Sequence, residues 1–222
     1  MFEEAKKLLA DREADHPANL LAARDLLDKE TSGANKVEAC NLLCEVLFWL
    51  GEYAANDKEK DTYFKAGVDI GKQAVKNAPD TVEAHLWFAA NMGAHGVVRG
   101  IMSSLFYIKD IEKAGKRAMS LNESYFHGAP LRLLGRFYHQ CPGFPIGAGD
   151  NKKALKILTQ AVETGPTFYM NHVYLADILL ARYKKDKARD LLNQVVAAEP
   201  DTFATYHRQV VVPEAEKLLK KC

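Results

Sequence analysis

The sequence predicts an all-α fold of antiparallel helical hairpins, and three observations carry that expectation. Apolar residues recur at helical spacing along most of the chain, and no stretch alternates between turn signals as a strand would. Pro17, Pro79, Pro166 and Pro200 stand where the helical patterns break. The last two lie 34 residues apart, a spacing that points to an internal repeat. With 222 residues, 48% hydrophobic and 27% charged, the chain has ordinary globular composition. It is long enough for one domain, or one repeat array, with a true core.

The repeat is clearest between Pro166 and Pro200. With Pro200 as the thirty-second position of a unit, Ala176 falls on the eighth, Ala188 on the twentieth, Leu192 on the twenty-fourth and Val195 on the twenty-seventh. This is the tetratricopeptide (TPR) pattern. Small residues at eight and twenty let two antiparallel helices approach closely, larger apolar residues fill the groove to the next hairpin, and proline ends the second helix. Upstream, Leu134-Gly135 and Tyr138 match a first helix, and Ala154, Leu158, Ala161 and Pro166 a second, with seven extra residues between them within 141–150. Leu50-Gly51, Ala74 and Pro79 mark an earlier unit with four extra residues around 56–61. A unit opening at Val82 places Phe88-Ala89 correctly and is expanded, its second helix ending near Leu121-Asn122.

These positions predict helices near 2–14, 17–30, 35–56, 60–78, 81–97, 104–121, 127–140, 150–164, 168–182, 185–198 and 201–220. Asp80, Asp150 and Asp201 are expected as N-caps or first-turn acids. The start of the last helix is poorly marked, because Val210-Val211-Val212-Pro213 is weak helix material. The expected architecture is a single TPR-like domain over 1–222, a right-handed solenoid of antiparallel hairpins. It comprises a degenerate N-terminal hairpin (1–34), repeat units 35–79, 80–124, 125–166 and 167–200, and a C-terminal capping helix (201–222).

Composition narrows the function. Thirty basic and 29 acidic residues give a net charge of +1, unlike a general nucleic-acid binder or an acidic disordered tail. No apolar run approaches a membrane span. The opening Met1-Phe2-Glu3-Glu4-Ala5-Lys6-Lys7 has acids where a signal peptide is apolar. Cys40 and Cys44 share a helix face among Leu43, Val46 and Leu47 and read as small buried residues, since zinc would need two further ligands. HExxH, GxSxG and Walker A motifs are absent. His139 near Cys141 is a conceivable nucleophile pair without a third, orienting group. No enzyme, metal or cofactor is expected.

Charge is uneven along the chain. Residues 92–149 hold seven bases and three acids, a local +4, which leaves −3 elsewhere. Lys113, Lys116 and Arg117 read as a solvated helix face. Arg99, Lys109 and Arg136 sit among glycines and aromatics, so with His95 they form a candidate anion-binding set, walled by Trp87 and Tyr138. The glycine-rich stretch 142–150 could present backbone N–H groups to an anion, but as a proline-rich turn it more simply bridges two helices.

The middle of the chain resembles a known family. Ala84-His85-Leu86-Trp87-Phe88-Ala89-Ala90, Gly96, Gly100, the run from Ile108 to Ala114, Leu134-Gly135-Arg136-Phe137-Tyr138, Pro142-Gly143-Phe144-Pro145 and the stretch from Gly149 to Leu155 carry the likeness. They are similar to the TPR-type T component of tripartite ATP-independent periplasmic (TRAP) transporters, and share features with the regulator-of-microtubule-dynamics TPR proteins. The likeness covers roughly 80–200. The transporter resemblance implies an all-helical periplasmic lipoprotein that partners a substrate-binding protein, encloses an organic-acid or hydrophobic ligand, and forms trimers. The chain shows no lipobox cysteine at its start; if Met1 is native, the expected compartment is the cytoplasm. Two readings follow: an accessory ligand-binding component of a solute-uptake system, or a generic TPR adaptor taking a protein segment on its concave face.

Overall fold

The computed structural model describes residues 1–100 and 105–222 and is all-helical, with no strand among them. Its helices form two compact units, Met1–Leu121 and Asn122–Cys222.

The first unit contains α1 (Phe2–Ala10), α2 (Ala18–Glu30), α3 (Lys36–Tyr53), α4 (Asp57–Asn77), α5 (Val82–Arg99) and α6 (Ile108–Leu121). The expected start of the sixth helix, at 104, lies outside the described residues. Each helix packs on the next, and α3 also packs on α5, the arrangement of successive hairpins in a TPR array. The sequence of α3 explains its central place: it is apolar nearly all round and buries residues on every face, from Ala39 to Gly51. Close approach depends on missing side chains. A Cβ at Gly67 would lie 2.1 Å from the Asn91 Oδ1. Asn91 is fully buried and donates from Nδ2 to the carbonyls of Cys44 (3.0 Å) and Trp87 (2.8 Å), so it ties α3 to α5.

Caps follow local chemistry. Asn56 accepts from the Glu59 N–H at 3.0 Å and starts α4 three residues before its expected position. Asp80, expected as a cap, instead bonds Arg117 of α6, and Thr81 occupies the cap position of α5.

The turn between α1 and α2 is anchored by buried charge. Arg12 and Glu45 are 7% and 6% exposed. The Arg12 Nη1 lies 3.8 Å from Glu45 Oε1 and donates to the Leu9 carbonyl at 2.6 Å, and the guanidinium covers the Trp49 ring at 5.0 Å. The Trp49 indole N–H donates to Glu45 at 3.2 Å. Burial pushes the Glu45 carboxyl up, against the opposing pull of Arg12 and the indole. A carboxyl whose pKa is raised by folding favours the native state at low pH, and that contribution is lost as pH rises through the raised value. The first unit is therefore expected to lose stability as pH rises above the ordinary glutamate value of about 4.3, and Glu45→Gln, which keeps an acceptor for Trp49, to flatten the dependence. Melting curves across that range check it; an unchanged slope would refute the assignment to Glu45.

The second unit contains α7 (Tyr125–Gln140), α8 (Asn151–Thr164), α9 (Met170–Ala181), α10 (Lys185–Ala197) and α11 (Val212–Leu219), the last reached through a helical turn Ala204–Tyr206 and a π-helical stretch His207–Val211. Ala176 and Ala188, the small positions of the repeat, are fully buried, and Asp150 caps α8 by accepting from the N–H groups of Lys152 (2.9 Å) and Lys153 (3.0 Å). The run Val210-Val211-Val212-Pro213 is helical after all: the widened π turn precedes Pro213, which sits in the first turn of α11 where its missing N–H is least felt. At the start of α7, Phe126, His127 and Gly128 hold left-handed φ values of 46°, 56° and 73°. Asn171 holds this stretch by donating to the His127 carbonyl at 3.0 Å.

Candidate functional site

The residues singled out as an anion site divide between the units. Trp87, His95, Arg99 and Lys109 belong to the first, Arg136 and Tyr138 to the second. Trp87 and Tyr138 are each 2% exposed and pack as core. Trp87 lies 5.4 Å from Phe48 and 6.1 Å from Trp49, ring to ring, and the Lys153 ammonium covers the Tyr138 ring at 3.8 Å.

His95 and Arg99 do come together, on Asp61 of α4. His95 Nε2 is 3.2 Å from Asp61 Oδ1 and its Nδ1 is 3.1 Å from the Tyr107 hydroxyl; Arg99 Nη1 is 3.6 Å from Asp61 Oδ2. Burial lowers the His95 pKa while Asp61 opposes it. Lys109 is exposed at the start of α6. In the expanded unit that opens at Val82, residues 92–99 extend α5, and Ile101 to Ser104 lie outside the described residues.

Arg136 is engaged within its own unit. It bonds Asp177 of α9 and stacks over Tyr174 at 4.5 Å. Burial pushes the Asp177 carboxyl up, but bonds from His139 and Arg136 outweigh it and hold it well below the usual range. His139 faces Asn151 Oδ1 (3.1 Å) and Asp177 (3.5 Å), while the Cys141 sulfur accepts the Ala148 N–H at 3.3 Å. These contacts join α7, α8 and α9; they do not pair His139 with Cys141. Among the described residues, no three His, Cys, Asp or Glu side chains converge as a metal site requires.

A groove open to another molecule lies in the first unit. Helices α2, α3 and α4 leave a groove of about 450 Å³. Leu43, Leu47 and Ile70 form its floor, and Asp25, Asp28 and Asp69 stand on its rim. Arg24 bonds Asp25, and Lys65 bonds Asp69. Nineteen acidic and 16 basic residues give the first unit a charge of −3. Sequence reasoning missed this groove because Asp28 and Asp69 are brought together only by the packing of α2 and α4 around α3. The one available signal was the acidic balance outside 92–149.

Comparison with known proteins agrees with the helical repeat and sharpens the family. No curated protein matches the chain. The family model for a tetratricopeptide repeat matches residues 146–208. The model for regulator of microtubule dynamics protein 1-3 matches residues 1–142. Of the two resemblances seen in the sequence, the matches carry this one and not the transporter component. The chain thus belongs to the regulator of microtubule dynamics protein 1-3 family, with a tetratricopeptide repeat in its second unit.

Proposed function

We propose that this protein is a non-enzymatic adaptor whose first unit docks a basic, amphipathic segment of a partner protein. One observation carries the reading: the α2–α3–α4 groove combines an apolar floor with an acidic rim. An amphipathic helix would place its apolar face on Leu43, Leu47 and Ile70 and its lysines or arginines against Asp25, Asp28 and Asp69. The family's name gives the process in which such an adaptor would act, the regulation of microtubule dynamics, by engaging a partner rather than by chemistry on a substrate.

The test is titration of a labelled basic amphipathic helical peptide. Asp28→Lys with Asp69→Lys, both at exposed positions, is expected to weaken binding at least tenfold and to reduce its salt sensitivity. Undiminished binding in the double variant would overturn the reading. The finer transporter-accessory reading, with a periplasmic substrate-binding partner, an organic-acid or hydrophobic ligand and a trimer, predicts something else: organic or fatty acids raise the melting temperature and Arg136→Ala abolishes the rise.

A further inference from the structure

The second unit carries a charge of +4, and the excess is confined to one end. Residues 182–190 and 214–222 hold eight basic and four acidic side chains; the rest of the unit holds six of each. The fold brings these two segments together. Helix α10 packs on α11, the Lys185 ammonium donates to the Lys221 carbonyl at 3.1 Å, and Arg189 Nη2 donates to the Cys222 carbonyl at 2.7 Å. Two of the four acids are already taken, Asp186 by Arg189 (3.0 Å) and Glu214 by Lys217 (3.6 Å). Arg182, Lys184, Lys187 and Lys220 stand exposed. Like charges gathered this way work against folding, so a partner is the natural source of compensation.

Tyr183 lies between Arg182 and Lys184 in the first of these segments. Its N–H donates to the Leu180 carbonyl (2.9 Å) and the Lys184 N–H to the Leu179 carbonyl (2.9 Å), which is the Schellman closure of α9. Tyr183 fills the left-handed position of that motif, with φ of 59°, where glycine is the common residue. Its side chain is 92% exposed, so it returns almost nothing to the core for the strained backbone. A ring held on a strained turn, flanked in sequence by Arg182 and Lys184 and 92% exposed, has the form of a recognition residue.

We infer that this end of the second unit is a docking surface for an extended acidic peptide segment, with Tyr183 as its stacking platform and Arg182, Lys184, Lys187 and Lys220 as partners for the carboxylates. It is separate from the groove proposed above. Tyr183 is the one large exposed apolar side chain within the two segments, fewer than a membrane-inserting surface needs. The near-neutral chain as a whole does not suit a nucleic acid.

A fluorescent oligoglutamate peptide carrying one central proline is the probe. It is expected to bind the full chain with an affinity that falls as salt rises. Lys184→Glu, Lys187→Glu and Lys220→Glu together should weaken binding at least tenfold. Tyr183→Gly separates recognition from folding: it is expected to raise the melting temperature by a few degrees, through relief of the turn, while weakening the peptide about three- to tenfold. Tyr183→Phe should keep the affinity. Absence of oligoglutamate binding, or equal binding by the triple variant, overturns the assignment. So does capture by vesicles containing phosphatidylserine without capture of the peptide, or self-association of the chain that the triple variant abolishes. Failure here leaves the groove intact, because the triple variant should still bind the basic helical peptide and the Asp28→Lys, Asp69→Lys variant should still bind oligoglutamate.

Discussion

Asn171→Ala is expected to destabilise the second unit by about 3 kcal/mol or more, lowering its melting temperature by roughly 12 °C or more for a unit of this size. Asn171 is fully buried. Its Nδ2 donates to the carbonyls of His127 (3.0 Å), Ala161 (3.0 Å) and Gly165 (2.9 Å), and its Oδ1 accepts from Arg132 Nη1 at 3.0 Å. One amide thus joins α7, α8 and α9. Removing it strands several polar groups away from water, each at a cost of about 1–3 kcal/mol. It also removes the bond that holds the left-handed Phe126-His127-Gly128 stretch, whose non-glycine members each cost roughly 1–2 kcal/mol in backbone strain. Gly165 makes the same junction depend on shape: a Cβ there would lie 2.2 Å from the His127 carbonyl oxygen. Circular dichroism melts of the variant test this, and a loss below about 1 kcal/mol would show that the amide is replaceable by water.

Arg12→Ala is the second large effect, expected to cost the first unit about 3–5 kcal/mol. The arginine itself is not the main loss. Its removal leaves the Glu45 carboxyl, 6% exposed and bonded by the indole N–H of Trp49, without its cation. The double variant Arg12→Ala, Glu45→Gln should recover part of the loss, because the buried ionisable group left without its cation goes with it, and the recovered part measures the coupling between the two. If the double variant is no more stable than Arg12→Ala alone, packing of the guanidinium on Trp49 and its bond to Leu9 dominate instead.

How much of this was legible beforehand depended on the range of the signal. Repeat spacing is local and periodic, so Ala176, Ala188 and Leu192 are fully buried as their positions predict, and most helix limits fall within a few residues of those read from the sequence. Long-range pairing left no such mark. Arg136 looked available because its neighbours are glycine and aromatic residues; its partner Asp177 lies 41 positions on, in a helix of the next hairpin. Trp87 and Tyr138 show the limit of periodicity, since a helical stripe reads the same whether it faces a core or a cavity. The charge arithmetic shows another limit. The +4 of residues 92–149 and the +4 of the second unit share a value, but the window crosses the junction between the units. Counted by unit, the surplus falls at the far end, around Tyr183, and only the contacts among α10, α11 and the last residues gather it into one surface.

The four cysteines, of which Cys40 and Cys44 were read first as packing residues, also give the molecule a built-in clock. Cys40 and Cys44 are fully buried, and burial pushes both thiols up, away from the reactive thiolate. Cys141 and Cys222 are half-buried and both lie in the second unit. A maleimide dye should therefore label the second unit quickly and the first only when it opens. The slow phase then reads the opening free energy of the first unit by itself, while a dye on Cys222 sits beside Lys220 and Lys221, where it would report an arriving acidic partner directly.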